Sequence, residues 1–333
     1  MTIRLILGFF LAYFLAIVGT PMARDAALRF GVVDKPDGNL KNHQEPVAYL
    51  GGLAVFAAFL LSIGMTFEFD AELLALLLAS TIVTTVGLID DFGALTPKPK
   101  AVGQVVAVFV LLKAGIMIEV AIIPWWVRIL ITILWLVGMS NAFNLADIMD
   151  GLASGLGVIA ATFLLVVALL NGRWVVAAFT VALIGALLGF LKSNFYPATI
   201  YLGDCGSLFI GLTLGALAMV MDYTHYNPLG WLAPLYILAV PLIDTAYVIV
   251  LRLKSGRKVY YGSPDHFPLR VRKTLDGWTA GTVVVSYAVA VVFGALGLVI
   301  LFLDPMSTMI LTAVVGVVTW GLVVWVATVP MEP

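Results

Sequence analysis

Residues 152–192 read LASGLGVIAATFLLVVALLNGRWVVAAFTVALIGALLGFLK. Two apolar runs flank the short break Asn171-Gly172-Arg173-Trp174. A helix needs about 20 apolar residues to cross a bilayer. Gly172 provides a turn and Trp174 an interfacial aromatic, as such a boundary requires. The stretch therefore reads as two successive membrane spans. Worked outward, the pattern repeats, with helices expected near 4–20, 47–65, 73–89, 101–118, 127–140, 152–170, 175–192, 206–221, 231–251, 279–302 and 307–328. Pro21, Pro97, Pro99, Pro124, Gly172, Pro228 and Pro305 punctuate the runs, and Trp125, Trp126, Trp174, Trp231 and Trp278 fall at their ends.

Composition agrees with this pattern. The 333 residues are 62% hydrophobic and 11% charged, with a mean hydropathy of +1.09, against about 25% charged in soluble domains. The expected fold is all-α and polytopic, with about 11 transmembrane helices. Eleven spans would take roughly 220 residues, leaving no room for a separate soluble domain, so 1–333 is expected to be a single integral-membrane domain. The run Leu5–Val18 has no clear small-residue cleavage site after it and reads as a retained first span. One cysteine, Cys205, cannot form an intrachain disulfide. The net charge of −1 says little, and no basic tract points to nucleic acid.

Orientation follows from the positions of Lys and Arg. With the N-terminus outside, Arg24, Arg29, Lys35, Lys41, Lys98, Lys100, Lys192, Arg252, Lys254, Arg257, Lys258, Arg270, Arg272 and Lys273 fall inside. Only Arg4, Lys113, Arg128 and Arg173 fall outside or within spans. Cytoplasmic loops carry the excess of Lys and Arg, so the N-terminus is expected outside and the C-terminus in the cytoplasm. Cytoplasmic loops are then expected near 21–46, 90–100, 141–151, 193–205 and 252–278. The same numbering collects the chain's short polar segments on that side, although Asp, Asn and His played no part in setting it.

Four segments carry candidate chemistry. Asp90-Asp91 ends an apolar run, and Lys100 follows. Paired carboxylates hold a divalent cation or a proton, and an ammonium suits phosphate oxygens. A solvated helix end with acids facing water is the plainer reading. In Asn141-Ala-Phe-Asn144-Leu-Ala-Asp147-Ile-Met-Asp150-Gly151 polar residues recur every third position, a drifting stripe if the run is helical. Amides can glue membrane helices together, but glue alone does not need the acids. In Gly203-Asp204-Cys205-Gly206-Ser207 an acid sits between glycines at a helix start, where a phosphate could bind; Asp204 could equally cap that helix. Cys205 reads as a small spacer. The loop from Arg252 to Trp278 holds seven basic residues and His266, and His266 or Arg270 could face phosphate. Asp244 lies within a span and is a functional candidate or a packing partner.

These motifs resemble the polyprenyl-phosphate N-acetylhexosamine-1-phosphate transferases, glycosyltransferase family 4, over nearly the whole chain. The resemblance runs through Asp34-Lys35-Pro36, Pro46 to Gly51-Gly52, Asp90-Asp91 with Lys100 and Gln104, the Asn141–Leu152 run, Gly203–Ser207 and the His266 loop. Eleven spans and an inside C-terminus resemble the undecaprenyl-phosphate N-acetylglucosamine-1-phosphate branch more than the muramoyl-pentapeptide branch. It implies transfer of a sugar 1-phosphate from a UDP-N-acetylhexosamine to a polyprenyl phosphate, with Mg2+, or Mn2+ in its place, as cofactor. A homodimer is compatible with it.

By the same resemblance Asp204 with Asn144 would hold the metal, and Asp90, Asp91, Lys100, Asp147 and His266 would serve the reaction. Asp150, Tyr201, Asn141, Gly51, Gly52 and Arg270 would bind substrate, Asp150 and Tyr201 at the uracil. Two departures stand out: Ile148 replaces the usual glycine between the acids of the third motif, and the last loop has a single histidine. An ion-coupled transporter is the main reading from another class, but transporters place polar groups near mid-membrane. An intramembrane aspartyl protease fits Leu202-Gly203-Asp204 but not Tyr201.

Overall fold

The computed structural model describes residues 1–34, 47–68, 70–119, 123–256 and 265–330. Lys35, Pro36, Lys41, Pro46, Arg257 and Lys258 lie outside these residues. Two compact units divide the chain, Met1–Met221 and Asp222–Pro333.

The first unit contains α1 (Thr2–Phe30), α2 (Gly51–Thr66), α3 (Ala71–Asp91), α4 (Pro97–Lys113), α5 (Trp125–Ala146), α6 (Leu152–Leu170), α7 (Trp174–Asn194) and α8 (Gly203–Met219). Two short strands, β1 (Val33–Asp34) and β2 (Val47–Ala48), pair antiparallel beside it. The second unit contains a tight turn at Gly230–Leu232, then α9 (Ala233–Ile237), α10 (Ala239–Lys254), α11 (Phe267–Thr274), α12 (Thr279–Ile300) and α13 (Pro305–Ala327).

The protein is an all-α, multi-pass membrane protein. Among the described residues seven helices (α1, α3, α5, α6, α7, α12 and α13) are long and apolar enough to cross a bilayer, or eight if the pair Gly230–Ile237 and Ala239–Lys254, bent by 74°, is one span. Every expected span has a helical counterpart, but α2, α4 and α8 have only 16 or 17 residues. At 1.5 Å per residue such helices reach about 25 Å, short of a hydrocarbon core of about 30 Å. The hydropathy windows run past the C-terminal ends of α4 and α8 and begin before the N-terminus of α2.

The expected end of the first helix at Pro21 is also corrected. Helix α1 continues through Pro21 to Phe30 and ends at Gly31, whose φ of 71° is left-handed. Proline removes one donor and crowds the preceding turn, but membrane helices absorb that through neighbouring groups. A further correction concerns the polar run. Helix α5 stops at Ala146, so Asn141 and Asn144 are helical while Asp147 caps the end and Asp150 lies in the turn before α6. The drifting helical stripe therefore stops after its second member.

Close helix approach in the first unit depends on small residues. Gly185 and Gly189 of α7 meet α1 so tightly that added Cβ atoms would lie 2.3 Å from Phe9 O and 2.5 Å from Tyr13 O. Spacing of four puts both glycines on one helix face, where backbones can come together without side chains between them. Helix α8 is surrounded in the same way. Cβ atoms at Gly52, Gly87 and Gly211 would fall 2.1 Å from Gly206 N, 2.4 Å from Asp204 O and 2.3 Å from Met139 O. Its residues Cys205–Ala218 are buried, so α2, α3 and α5 deliver their ends to the start of α8. On α1, by contrast, Ile3, Ile6, Leu7, Phe10, Phe14 and Val18 are exposed, as a lipid-facing surface would be.

The far end of α3 is a separate polar zone. Arg4 pairs with Glu68 at 3.4 Å and Arg173 with Glu72 at 3.1 Å. Glu72 lies in the first turn of α3, while Asp90 and Asp91 lie in its last. Two of the lysines and arginines assigned outside thus share the opposite end of this helix from the paired acids.

Candidate active site

The segment 47–52 crosses beside 200–202. Tyr201 N–H donates to Ala48 O at 2.8 Å, Gly51 N–H to Tyr201 O at 3.1 Å and Gly52 N–H to Leu202 O at 2.8 Å. This pairing leads the chain into α8. Gly51 and Gly52 act here as tight backbone contacts: a Cβ at Gly51 would lie 2.4 Å from both Phe190 Cε2 and Tyr201 O.

A helix start leaves its first backbone N–H groups without intrahelical acceptors. At α8 two acids from other elements supply them. Gly203 N–H faces the Asp147 carboxylate. Asp204 N–H donates to Asp91 Oδ1 at 2.8 Å and Cys205 N–H to Asp91 Oδ2 at 3.0 Å. The cap is therefore supplied from α3 and the end of α5. The alternative in which Asp204 caps its own helix is set aside, because its side chain points elsewhere.

That side chain enters a charged cluster. Asn144 Nδ2 donates to Asp204 Oδ1 at 2.7 Å and to Ser207 Oγ at 3.0 Å. Lys100 Nζ contacts Asp204 Oδ2, Asp90 Oδ2 at 2.9 Å and Asn144 Oδ1 at 3.3 Å. An ammonium has three N–H donors, and each finds an oxygen. The Lys100 and Asp90 side chains are 15% and 18% exposed and Asp204 31%, so Asp204 is the most open of the three charges. The reading in which both acids of the Asp90-Asp91 pair simply face water is replaced by this geometry.

Asn141 lies one turn back on α5. Its amide donates to Gln104 Oε1 at 2.7 Å and Val137 O at 2.8 Å, and Gln104 is buried. Its contacts are those of helix-to-helix glue. Asp150 Oδ2 accepts the Ala198 N–H at 2.9 Å, which fastens the loop before α8. The Tyr201 ring lies 5.8 Å from that of Tyr49. Burial, with Asp150, Asp34 and Asp147 nearby, pushes the Tyr201 hydroxyl up to about 12, so it remains a neutral donor. Burial pushes the Asp147 carboxyl well above the usual carboxylate range, and the charges of Asp204, Asp91 and Asp150 add to that.

The residues fit a divalent cation. Among the described residues no group of three or more His, Cys, Asp or Glu side chains could hold one alone. Yet oxygens of Asp90, Asp204 and Asn144 converge on a single positive charge, the Lys100 ammonium. Mg2+ takes hard oxygen ligands, commonly one or two carboxylates completed by water and substrate phosphate. Asp204 with Asn144 matches that pattern.

His266 and Arg270 belong to the second unit. His266 Nδ1 lies 2.8 Å from Asp244 Oδ2, and Phe267 N–H donates to Asp244 Oδ1 at 2.7 Å. Both His266 and Asp244 are buried, so the intramembrane acid is a partner of the loop histidine. Arg270 donates to Ala327 O at 3.2 Å, Val329 O at 2.6 Å and Asp265 Oδ1 at 3.1 Å. It ties α11 to the end of α13. Sequence reasoning did not single out Ser207 as a partner of Asn144, or Tyr49 beside Tyr201; Tyr49 lies inside the Pro46–Gly52 motif, which was the available signal.

A cluster of acids around one lysine at the ends of membrane helices, opened by a glycine-flanked helix start, is the frame of a membrane phosphotransferase. The sequence profile of glycosyl transferase family 4 matches residues 73–222. The chain is 30% identical over 310 residues to the probable undecaprenyl-phosphate N-acetylglucosaminyl 1-phosphate transferase of Bacillus subtilis, covering 90% of this chain and 85% of that protein. It is 32% identical over 340 residues to the decaprenyl-phosphate N-acetylglucosaminephosphotransferase of Mycolicibacterium smegmatis, covering 90% and 82%. To the phospho-N-acetylmuramoyl-pentapeptide-transferase of Halalkalibacterium halodurans it is 33% identical over 313 residues, covering 86% and 92%. The chain belongs to glycosyl transferase family 4, the polyprenyl-phosphate sugar-1-phosphate transferases.

Proposed function

We propose that the protein transfers N-acetylglucosamine 1-phosphate from UDP-N-acetylglucosamine to undecaprenyl phosphate at the cytoplasmic membrane face, releasing UMP. The observation that carries this reading is the convergence of Lys100, Asp90, Asp204 and Asn144 at the start of α8, in a chain whose relatives include two named for N-acetylglucosamine transfer to a polyprenyl phosphate.

Both substrates are anions, so their approach requires positive charge. Phosphoryl transfer is largely a matter of positioning and charge stabilisation. Lys100 supplies a fixed cation for phosphate oxygens, and Asp204 with Asn144 would hold Mg2+. When bound, that ion neutralises the donor diphosphate and orients its oxygens. Asp90, beside Lys100, keeps the ammonium aimed into the cluster. The lipid phosphate is already an oxyanion near neutral pH and needs no strong base. Tyr201 and Asp150 would receive the uracil, Tyr201 through its ring face.

The test is UMP release by purified protein with Mg2+, undecaprenyl phosphate and UDP-sugars supplied one at a time. Lipid-dependent UMP from UDP-N-acetylglucosamine is expected. Release only from UDP-N-acetylmuramoyl-pentapeptide would move the protein to the other branch. Solute flux without UMP would favour a transporter.

A further inference from the structure

The adjacent acids Asp90 and Asp91 differ in what they touch. Asp90 reaches the Lys100 ammonium at 2.9 Å. Asp91 gives one oxygen to each of two backbone N–H groups, Asp204 at 2.8 Å and Cys205 at 3.0 Å. Neighbouring residues on a helix lie about 100° apart, so one helix end can face two directions. Here one acid faces the cluster and the other faces the start of α8.

We propose that Asp91 is a positioning residue that fixes the direction of Asp204, while Asp90 holds the Lys100 ammonium. This rests on the reading of Asp204 as a holder of the donor's cation. A carboxylate that accepts two charge-assisted backbone hydrogen bonds has its oxygens engaged in fixed directions. It also lies at the positive end of a helix dipole, where negative charge is stabilised. The local chain is shaped around this contact. Gly203 has a φ of +71°, and a Cβ there would lie 2.8 Å and 2.9 Å from the two Asp91 oxygens. A Cβ on Gly87, one turn before Asp91, would lie 2.4 Å from Asp204 O. Both glycines let α3 and the start of α8 meet backbone to carboxylate. Asp204 follows Gly203 directly, so its side-chain direction is set by a turn that Asp91 holds.

Asp91→Asn is the first test. It keeps the size but replaces one acceptor oxygen with an amino group that faces a backbone donor. Three quantities are read in detergent-purified protein. These are amide exchange across residues 201–208, Mn2+ affinity by electron paramagnetic resonance with UMP present, and the kcat and KM for the UDP-sugar. Exchange is expected to quicken and Mn2+ to bind ~10-fold more weakly, the lower end for losing an outer partner of a metal ligand. The KM for the donor should rise as well. Gly203→Ala leaves both acids in place while displacing the contact and should reproduce the weaker Mn2+ binding, which covers the case in which Asp91→Asn does not fold. Unchanged exchange and Mn2+ affinity with lost turnover would make Asp91 a catalytic residue and overturn the proposal. If the wild type neither binds Mn2+ nor releases UMP, the functional reading fails, and the exchange comparison still decides whether Asp91 holds the α8 start.

Discussion

Asp204 makes the cluster's most telling contacts at the scale of single residues. One oxygen takes the Asn144 amide and the other the Lys100 ammonium. Asp204→Asn keeps the shape but removes the charge that both partners address. UMP release is expected to fall at least about 100-fold, in line with the loss of one electrostatic contact at a phosphate or oxyanion centre, while the protein still elutes as a folded species. Retention of wild-type rate would remove Asp204 from the reaction. Cys205 is different: its backbone N–H meets Asp91 and its side chain is buried. Cys205→Ser should therefore stay active, and an inactive, folded variant would refute the spacer assignment.

Asp147 permits a prediction with a sign. Its folded value lies above the ordinary carboxylate range because of burial and the neighbouring acids. Such a group binds its proton more tightly when folded. Its contribution to stability is full below the ordinary value of about 4 and declines as pH rises toward the raised folded value. Asp147→Asn is expected to make thermal stability of metal-free protein less dependent on pH from about 4 upward. A melting profile with the wild-type slope would show that Asp147 is not the source.

At the scale of elements, the start of α8 is where the site is assembled. Helices α2 and α3 reach it through backbone contact at Gly52 and Gly87, where glycine is required, and α5 through the Asn144 side chain. Gly52→Ala would drive a Cβ to 2.1 Å from Gly206 N, and backbone cannot yield as a side chain tip can. A loss of about 3 kcal/mol or more is expected, the upper end for overpacking. Thermal unfolding in detergent would measure it, and a shift within error of wild type would mean the helices can separate without cost. Sequence periodicity could not foresee this role. The resemblance implied substrate binding at Gly51 and Gly52; in the fold both N–H groups donate to the 201–202 backbone.

The last helices show the same limit. The basic loop suggested that Arg270 faces phosphate, but its guanidinium joins Ala327, Val329 and Asp265. Arg270→Ala should lower the melting temperature of the protein through those lost charge-assisted bonds, each worth about 1.5–3 kcal/mol. No change in melting would show that the α13 end needs no such tie.

At the scale of the whole molecule, the reaction demands that two anions meet at a membrane surface. Removal of divalent cations by EDTA is expected to abolish UMP release, and added Mg2+ to restore it. Undiminished release in EDTA would discard the metal assignment to Asp204 and Asn144.

The sequence by itself determined that this is a helical, multi-pass membrane protein. Long uncharged runs can satisfy their backbone in lipid only as helices or closed barrels, and runs near 20 residues select helices. It also determined which residue types could perform the chemistry, because acids, amides and a lysine between apolar runs are costly unless they bind something. Only the tertiary structure decided how those residues are shared out. Asn144, Asp90 and Lys100 gather around Asp204, while Asn141 binds Gln104 and Asp91 caps α8. The reason is geometric. Side-chain partnerships between residues 113 positions apart, as between Asp91 and Asp204, depend on helix ends meeting in space, and no local pattern of the chain records where they meet.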